Sequence, residues 1–256
     1  MPANHKLAAD AELAELTGKS VLHFFPALCS LRREITGLRF DTYKPVPGLN
    51  ERLANMLSAT EQELRDAAVA LRDAHGLPFW DGLLATSMQR GALSERFIET
   101  ALAHDGAPDE QHTTVPREAL TAARIQDLIA ELPPGYGFAA CSRVWLASNQ
   151  AAHIPMLDFR CPCSEENAKA IERMLASMGC AEGVLVQSGR SYHFYGTSLL
   201  SQAQWVEFLG RALLFAPIVD SRFIGHRLVD GQCRLKVMDP RNGLTPRISH
   251  VFFAHV

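Results

Sequence analysis

Apolar positions recur along this chain with two different periods, and the change of period divides it. In the N-terminal part the spacing is helical. Leu64, Ala67, Ala68 and Leu71 share one face behind a Thr60-Glu61-Gln62-Glu63 capping pattern, and Phe97, Ile98, Ala101 and Leu102 make a second stripe. Residues 1–113 therefore read as a mainly helical region. The polar, turn-forming stretch from His104-Asp105-Gly106-Ala107-Pro108 to Pro116 is the best linker candidate, and residues 117–256 follow as a second unit.

In that second unit helices alternate with strands. A helix from about Arg117 carries Ile125, Leu128, Ile129 and Leu132 on one face and stops at Pro133-Pro134-Gly135, where prolines cannot continue it. Tyr136–Leu146 reads as one or two strands. His153–Cys161 reads as a strand of period two, with Leu157 and Phe159 toward one face and Asp158 and Arg160 toward the other. Ser164 caps a helix that has Glu165 and Glu166 at its positive end and Ala168, Ile171, Leu175 and Met178 facing the core. Gly183–Gly196 is a strand pair or one bent strand interrupted at Ser188-Gly189-Arg190. A capping box at Ser201-Gln202-Ala203-Gln204 opens a helix burying Trp205, Phe208, Leu209 and Ala212. Ile218–Val229 reads as extended, with Asp230-Gly231 as a two-residue hairpin turn into Gln232–Val237. This order predicts an α/β layered sheet.

Composition adds bounds rather than chemistry. Hydrophobic residues make up 47% of the chain and charged residues 21%, the balance of an ordinary globular protein. No apolar run has the length of a membrane span, and the start, MPANHKLAADAELAEL, has no apolar signal core. A cytoplasmic address without membrane contact is the expectation. Cys161 and Cys163 form the one closely spaced cysteine pair, which falls short of a four-ligand zinc site, so buried free thiols are expected. Acidic residues outnumber basic ones over residues 1–113, and basic outnumber acidic from 219 to 256. The C-terminal end can thus attract phosphates locally although the whole chain carries −3.

Three polar points sit on otherwise apolar strands: Asp158, the Ser191-Tyr192-His193 run, and Asp220. A carboxylate on a buried strand is costly unless it is paired or binds a cation. Two such strands in one sheet can bring Asp158 and Asp220 together, and paired carboxylates are what phosphoryl and nucleotidyl transfer use to hold Mg²⁺ or Mn²⁺. His193 stands two residues after Ser191, so both face the same way, and Gly189 permits close backbone approach.

Ser188-Gly189-Arg190-Ser191-Tyr192-His193-Phe194-Tyr195 resembles the second motif of the archaeo-eukaryotic primase (primase-polymerase) superfamily, where a Ser-Gly-Arg stretch leads to an essential histidine. Val219-Asp220-Ser221-Arg222 resembles its third motif, and Met156-Leu157-Asp158 occupies the place of the first, normally Asp-x-Asp. The similarity spans about residues 135–240. It implies an RRM-like catalytic core, a mixed sheet flanked by helices. It also implies Asp158 and Asp220 as ligands of Mg²⁺ or Mn²⁺. His193 would lie on the phosphates of a nucleoside triphosphate, helped by Ser188, Arg190, Ser191 and Arg222. The reaction implied is attack of a 3′-hydroxyl on the α-phosphate with pyrophosphate leaving, and nucleic acid is the implied second substrate.

One position departs from the family. Arg160 stands where the second acid belongs, exchanging a metal ligand for a cation. It can pair with Asp158, it can take a phosphate with its planar donor fork, or Glu165 or Glu166 can complete the acid set in its place. Two functions remain open on these residues: a metal-dependent nucleotidyltransferase, or a catalytically inactive relative that binds a nucleotide or a nucleic-acid end. A third possibility is that the helical N-terminal region docks a protein partner.

Overall fold

The computed structural model describes residues 11–45, 58–91, 94–102 and 111–253. They fall into two compact units, one drawn from Met1–Lys44 together with Ala107–Val256, the other from Pro45–Gly106. This differs from the division at residues 113 and 117 expected from the sequence. Ile35–Tyr43 is a strand, β1, following helix α1 (Phe24–Leu31), and it belongs to the larger unit. Its apolar residues Ile35, Leu38 and Phe40 do not alternate strictly, because the pairing register shifts between Ile35 and Gly37. That bulge gives the stretch a spacing close to a helix.

The smaller unit is helical, as its periodicity predicts. Helix α2 (Ala59–His75) opens with a true capping box between Ser58 and Glu61, two residues earlier than the Thr60 pattern suggested, and α3 (Phe79–Gln89) packs on it. Gly82 allows the close approach, since a Cβ there would lie 3.1 Å from the Ala68 carbonyl oxygen. Leu64, Ala68, Leu83 and Phe97 make its core. In α4 (Glu95–Leu102) Phe97 is buried, whereas Ile98 and Leu102 of the expected stripe are exposed. The linker residues 103–110 lie outside the described ones. His112–Pro116 of that stretch is strand β2, paired along β1.

The larger unit holds two antiparallel sheets with helices packed on them. Helix α5 (Ala122–Ala130) is capped by Thr121 and buries Ile125. Strands β3 (Gly137–Cys141) and β4 (Arg143–Leu146) share one edge of β1, with β2 on the other, since Phe40 pairs with both Ala140 and Thr113. Strands β5 (Ala151–His153) and β9 (Arg234–Met238) complete this first sheet, in the order β5-β4-β1-β3-β9. The second sheet runs β10-β7-β8-β6, from β6 (Met156–Asp158), β7 (Gly183–Ser188), β8 (Ser191–Gly196) and β10 (Arg247–Phe252). Helix α6 (Glu165–Ser177), capped by Ser164, connects β6 to β7. Helix α7 (Gln202–Leu213), with its Ser201–Gln204 capping box, follows β8.

Three expectations for this unit need correcting. His153–Cys161 is not one strand: Ile154-Pro155 separates β5 in the first sheet from β6 in the second, because proline cannot donate to a ladder. The stretch 218–229 is not extended either. Val219 makes one antiparallel bridge to Phe159, and helix α8 (Ser221–Asp230) then begins. Asp230-Gly231 ends this helix instead of turning a hairpin. Gly231 takes the left-handed φ of 70° that helix termini and hairpin turns both demand, so the same dipeptide serves either.

Candidate functional site

The second sheet brings Asp158 and His193 together by register. Asp158 lies directly opposite His193, as Leu157 does Phe194 and Met156 Tyr195, and opposed residues project to the same face. The chain then continues along its neighbours. Phe159 N–H donates to the Tyr192 carbonyl, Arg160 N–H to Ile218, and Asp220 N–H to the Asp158 carbonyl at 2.9 Å. These bonds place Asp220 beside Asp158. The three residues singled out from the sequence therefore meet at one point.

Asp220 is the N-cap of α8, its Oδ1 accepting from the Phe223 N–H at 3.1 Å. Its Oδ2 accepts from Arg160 Nη2 at 2.7 Å, a distance typical of a charge-assisted bond. Arg160 thus pairs with Asp220, a partner that none of the three roles open to it in the sequence had named. The crossing at Phe159–Val219 is the cause, since it sets residues 160 and 218–220 side by side. Their side chains keep 31% and 17% exposure, so the pair is shielded on most sides.

Burial, and next the neighbouring Asp220 charge, push the Asp158 carboxyl up to about 7, against the opposing pull of Arg160 and Lys236. His193 is driven the other way, to about 3, by burial and then by the Lys236 charge. It is a neutral imidazole at physiological pH. Its Nε2 stands 3.6 Å from Asp158 Oδ1, too far for a hydrogen bond, and its buried Nδ1 has no partner among the described residues. Two residues on, the buried hydroxyl of Tyr195 is likewise unpartnered.

The remaining motif residues lie at one end of this sheet. Ser188 pairs with Ser191 across a two-residue turn in which Gly189 has φ 76°, the glycine-first turn suited to a tight hairpin. Gly189 is used for chain reversal, and Arg190 is exposed at the tip, its carbonyl accepting from the Cys163 N–H. Ser191 shares the His193 face of β8, and its carbonyl accepts from Cys163 Sγ. Arg222, in the first turn of α8, stands 3.3 Å from His226 Nε2. Glu165 is exposed and bonded to His250, with Lys169 beside it, and Glu166 is its neighbour in the first turn of α6.

Sequence reasoning missed Lys236, since the alternation Arg234-Leu235-Lys236-Val237 gives its face on a strand but not its neighbours. It belongs to β9 of the other sheet, yet its charge acts on both Asp158 and His193.

This donor set does not fit a divalent metal as arranged. Both Asp220 oxygens are engaged, Oδ1 by the Phe223 N–H and Oδ2 by the Arg160 guanidinium, which repels a cation. Among the described residues no group of three His, Cys, Asp or Glu side chains converges where a metal could be held. All six cysteines are free thiols, and Cys161 and Cys163 are half-buried.

Comparison with curated proteins and with solved structures finds no match. The family model described as AEP-like, archaeo-eukaryotic primase 1D-like, matches residues 116–244, a span that holds Asp158, His193 and Asp220. No described helix is long and apolar enough to cross a membrane. With half of its length matched in this way, and with the motif residues meeting in one place on an α+β fold, the chain belongs to the archaeo-eukaryotic primase 1D-like family.

Proposed function

We propose that this chain is a primase-like binding module that takes a nucleotide or a nucleic-acid end without a catalytic metal. The single observation behind this reading is the 2.7 Å bond between Arg160 and Asp220. It neutralises one carboxylate of the pair that would otherwise hold Mg²⁺ or Mn²⁺. It also leaves a planar guanidinium beside the neutral His193, a combination suited to phosphate oxygens. Ser188, Arg190, Ser191 and Arg222 would assist by their place around the same sheet. Six free thiols accord with a reducing compartment, so we place the protein in the cytoplasm. Any protein partner would dock on the helices within residues 1–113.

The rival reading is a metal-dependent nucleotidyltransferase, favoured by the adjacency of Asp158 and Asp220. The two separate in one experiment. Labelled nucleoside triphosphates and a single-stranded oligonucleotide are titrated into the protein with EDTA and again with Mn²⁺, and Mn²⁺ reactions are then scored for chain extension. Binding that survives EDTA, with no extension, is the expected result. Extension that disappears in Asp158→Ala and Asp220→Ala would establish the transferase instead.

A further inference from the structure

One face of the first sheet is polar, and the register sets it out in rows. Asp41 lies opposite His112 on one side and Ala139 on the other, and Ala139 lies opposite Lys236, so these residues share a face. The row on one side adds Arg39 and, opposite Cys141, Arg234. The row on the other pairs Tyr43 with Gly137. Tyr43 lies across the Gly137 backbone. A Cβ there would fall 2.6 Å from the Tyr43 hydroxyl oxygen and closer still to the ring, so glycine is what lets the ring settle against the sheet. The hydroxyl donates to the Met238 carbonyl at 3.2 Å, which fixes the ring's orientation. Lys236 Nζ stands 6.0 Å from the ring centroid and 3.6 Å from Asp239, on a side chain that is 43% exposed. Its flexible stem allows it to leave the ring for a phosphate oxygen. Lys236 is also a cation of this sheet within electrostatic reach of Asp158 and His193.

An aromatic ring held on a sheet face beside a mobile cation is the arrangement by which proteins stack a base of any identity and hold its phosphate. We infer that Tyr43 and Lys236 form a base-stacking and phosphate-holding subsite for a nucleotide, adjoining the Asp158–His193 point. This rests on the nucleotide-binding reading above and gives it a direction: the base lies on the first sheet and the phosphates run toward Arg160. Because stacking ignores the edges of the base, the subsite accepts purine and pyrimidine nucleotides alike.

The test uses the full chain in EDTA with two probes, ATP and inorganic tripolyphosphate, the second having phosphates but no base. Tyr43→Phe keeps the ring but loses the bond to the Met238 carbonyl, so it should bind tripolyphosphate unchanged and ATP more tightly than Tyr43→Leu does. Tyr43→Leu should weaken ATP about 10-fold or more and leave tripolyphosphate unchanged. Lys236→Gln should weaken both. Tyr43→Leu or Lys236→Gln binding ATP with unchanged affinity overturns the inference while the nucleotide-binding reading stands. No binding of either probe by the unaltered protein removes that reading as well. Saturation-transfer NMR on ATP with the unaltered protein decides the matter even if Tyr43→Leu fails to fold. The base protons should receive the strongest saturation, and a pattern led by the ribose protons overturns the stacking assignment.

Discussion

Arg160 Nη2 and Asp220 Oδ2 are 2.7 Å apart, although sixty residues separate them in the chain. The crossing of Phe159 with Val219 makes that contact unavoidable: any side chain at 160 that points to the Asp158 face meets the cap of α8. An acid there would join Asp158 and Asp220 in a three-carboxylate cluster, whereas arginine ties one of the two down.

Arg160→Asp should therefore create a cation site at this point of the sheet. The variant is expected to bind Mn²⁺ in a calorimetric titration and to lose that binding when Asp220→Asn is added. Failure of Arg160→Asp to acquire Mn²⁺ would mean that Arg160 does not set the metal preference.

The buried Asp41 should govern acid stability. Burial alone would raise its carboxyl, but hydrogen bonds from Arg39, Cys141 and His112, with the charge of Arg39, outweigh it and hold the group below its ordinary value. The stabilisation is therefore present above the ordinary carboxylate range and is lost as pH falls through the lowered value. Asp41→Asn should cost about 3 kcal/mol at pH 7, because Arg39, Arg234 and His112 lose the buried negative charge that they share. Denaturant melts at pH 7 and pH 3 check this: the gap between the two proteins should narrow at the lower pH. A gap that widens contradicts the sign.

Gly231→Ala tests the end of α8. With φ at 70°, alanine at this position should cost about 1 kcal/mol, read as a lowered melting temperature. Asp230 binds both Arg227 and Arg234 at 3.2 Å, so loosening this terminus should also disturb the base of β9. An unchanged melting temperature would argue against the left-handed cap.

The resemblance of their motifs to one family put Asp158 and His193 at one site, and period two gave only the face that each takes on its own strand; the register of β6 on β8 brings them together. Helices α6 and α7 were legible from their caps, Ser164 and Ser201, which the structure shows in use. What escaped was non-local. The bulge in β1 disguised its alternation, so a central strand of the first sheet passed for helical sequence. Asp230-Gly231 carries the same signal at a helix end as in a hairpin, and here it follows a helix that Asp220 caps and that buries Ile224. Lys236 could not be assigned to the site because it arrives from the other sheet, and sequence spacing says nothing about which sheets adjoin.

The account stands most directly on whether the unaltered site takes a divalent cation. Electron paramagnetic resonance of Mn²⁺ titrated with the purified protein reads this without reference to activity. The arginine–aspartate pair predicts that the six-line spectrum of free Mn²⁺ persists at millimolar protein and is the same with Asp158→Asn. Loss of that spectrum in the unaltered protein, restored by Asp158→Asn or Asp220→Asn, would show that the carboxylates hold a metal despite Arg160 and would contradict the account.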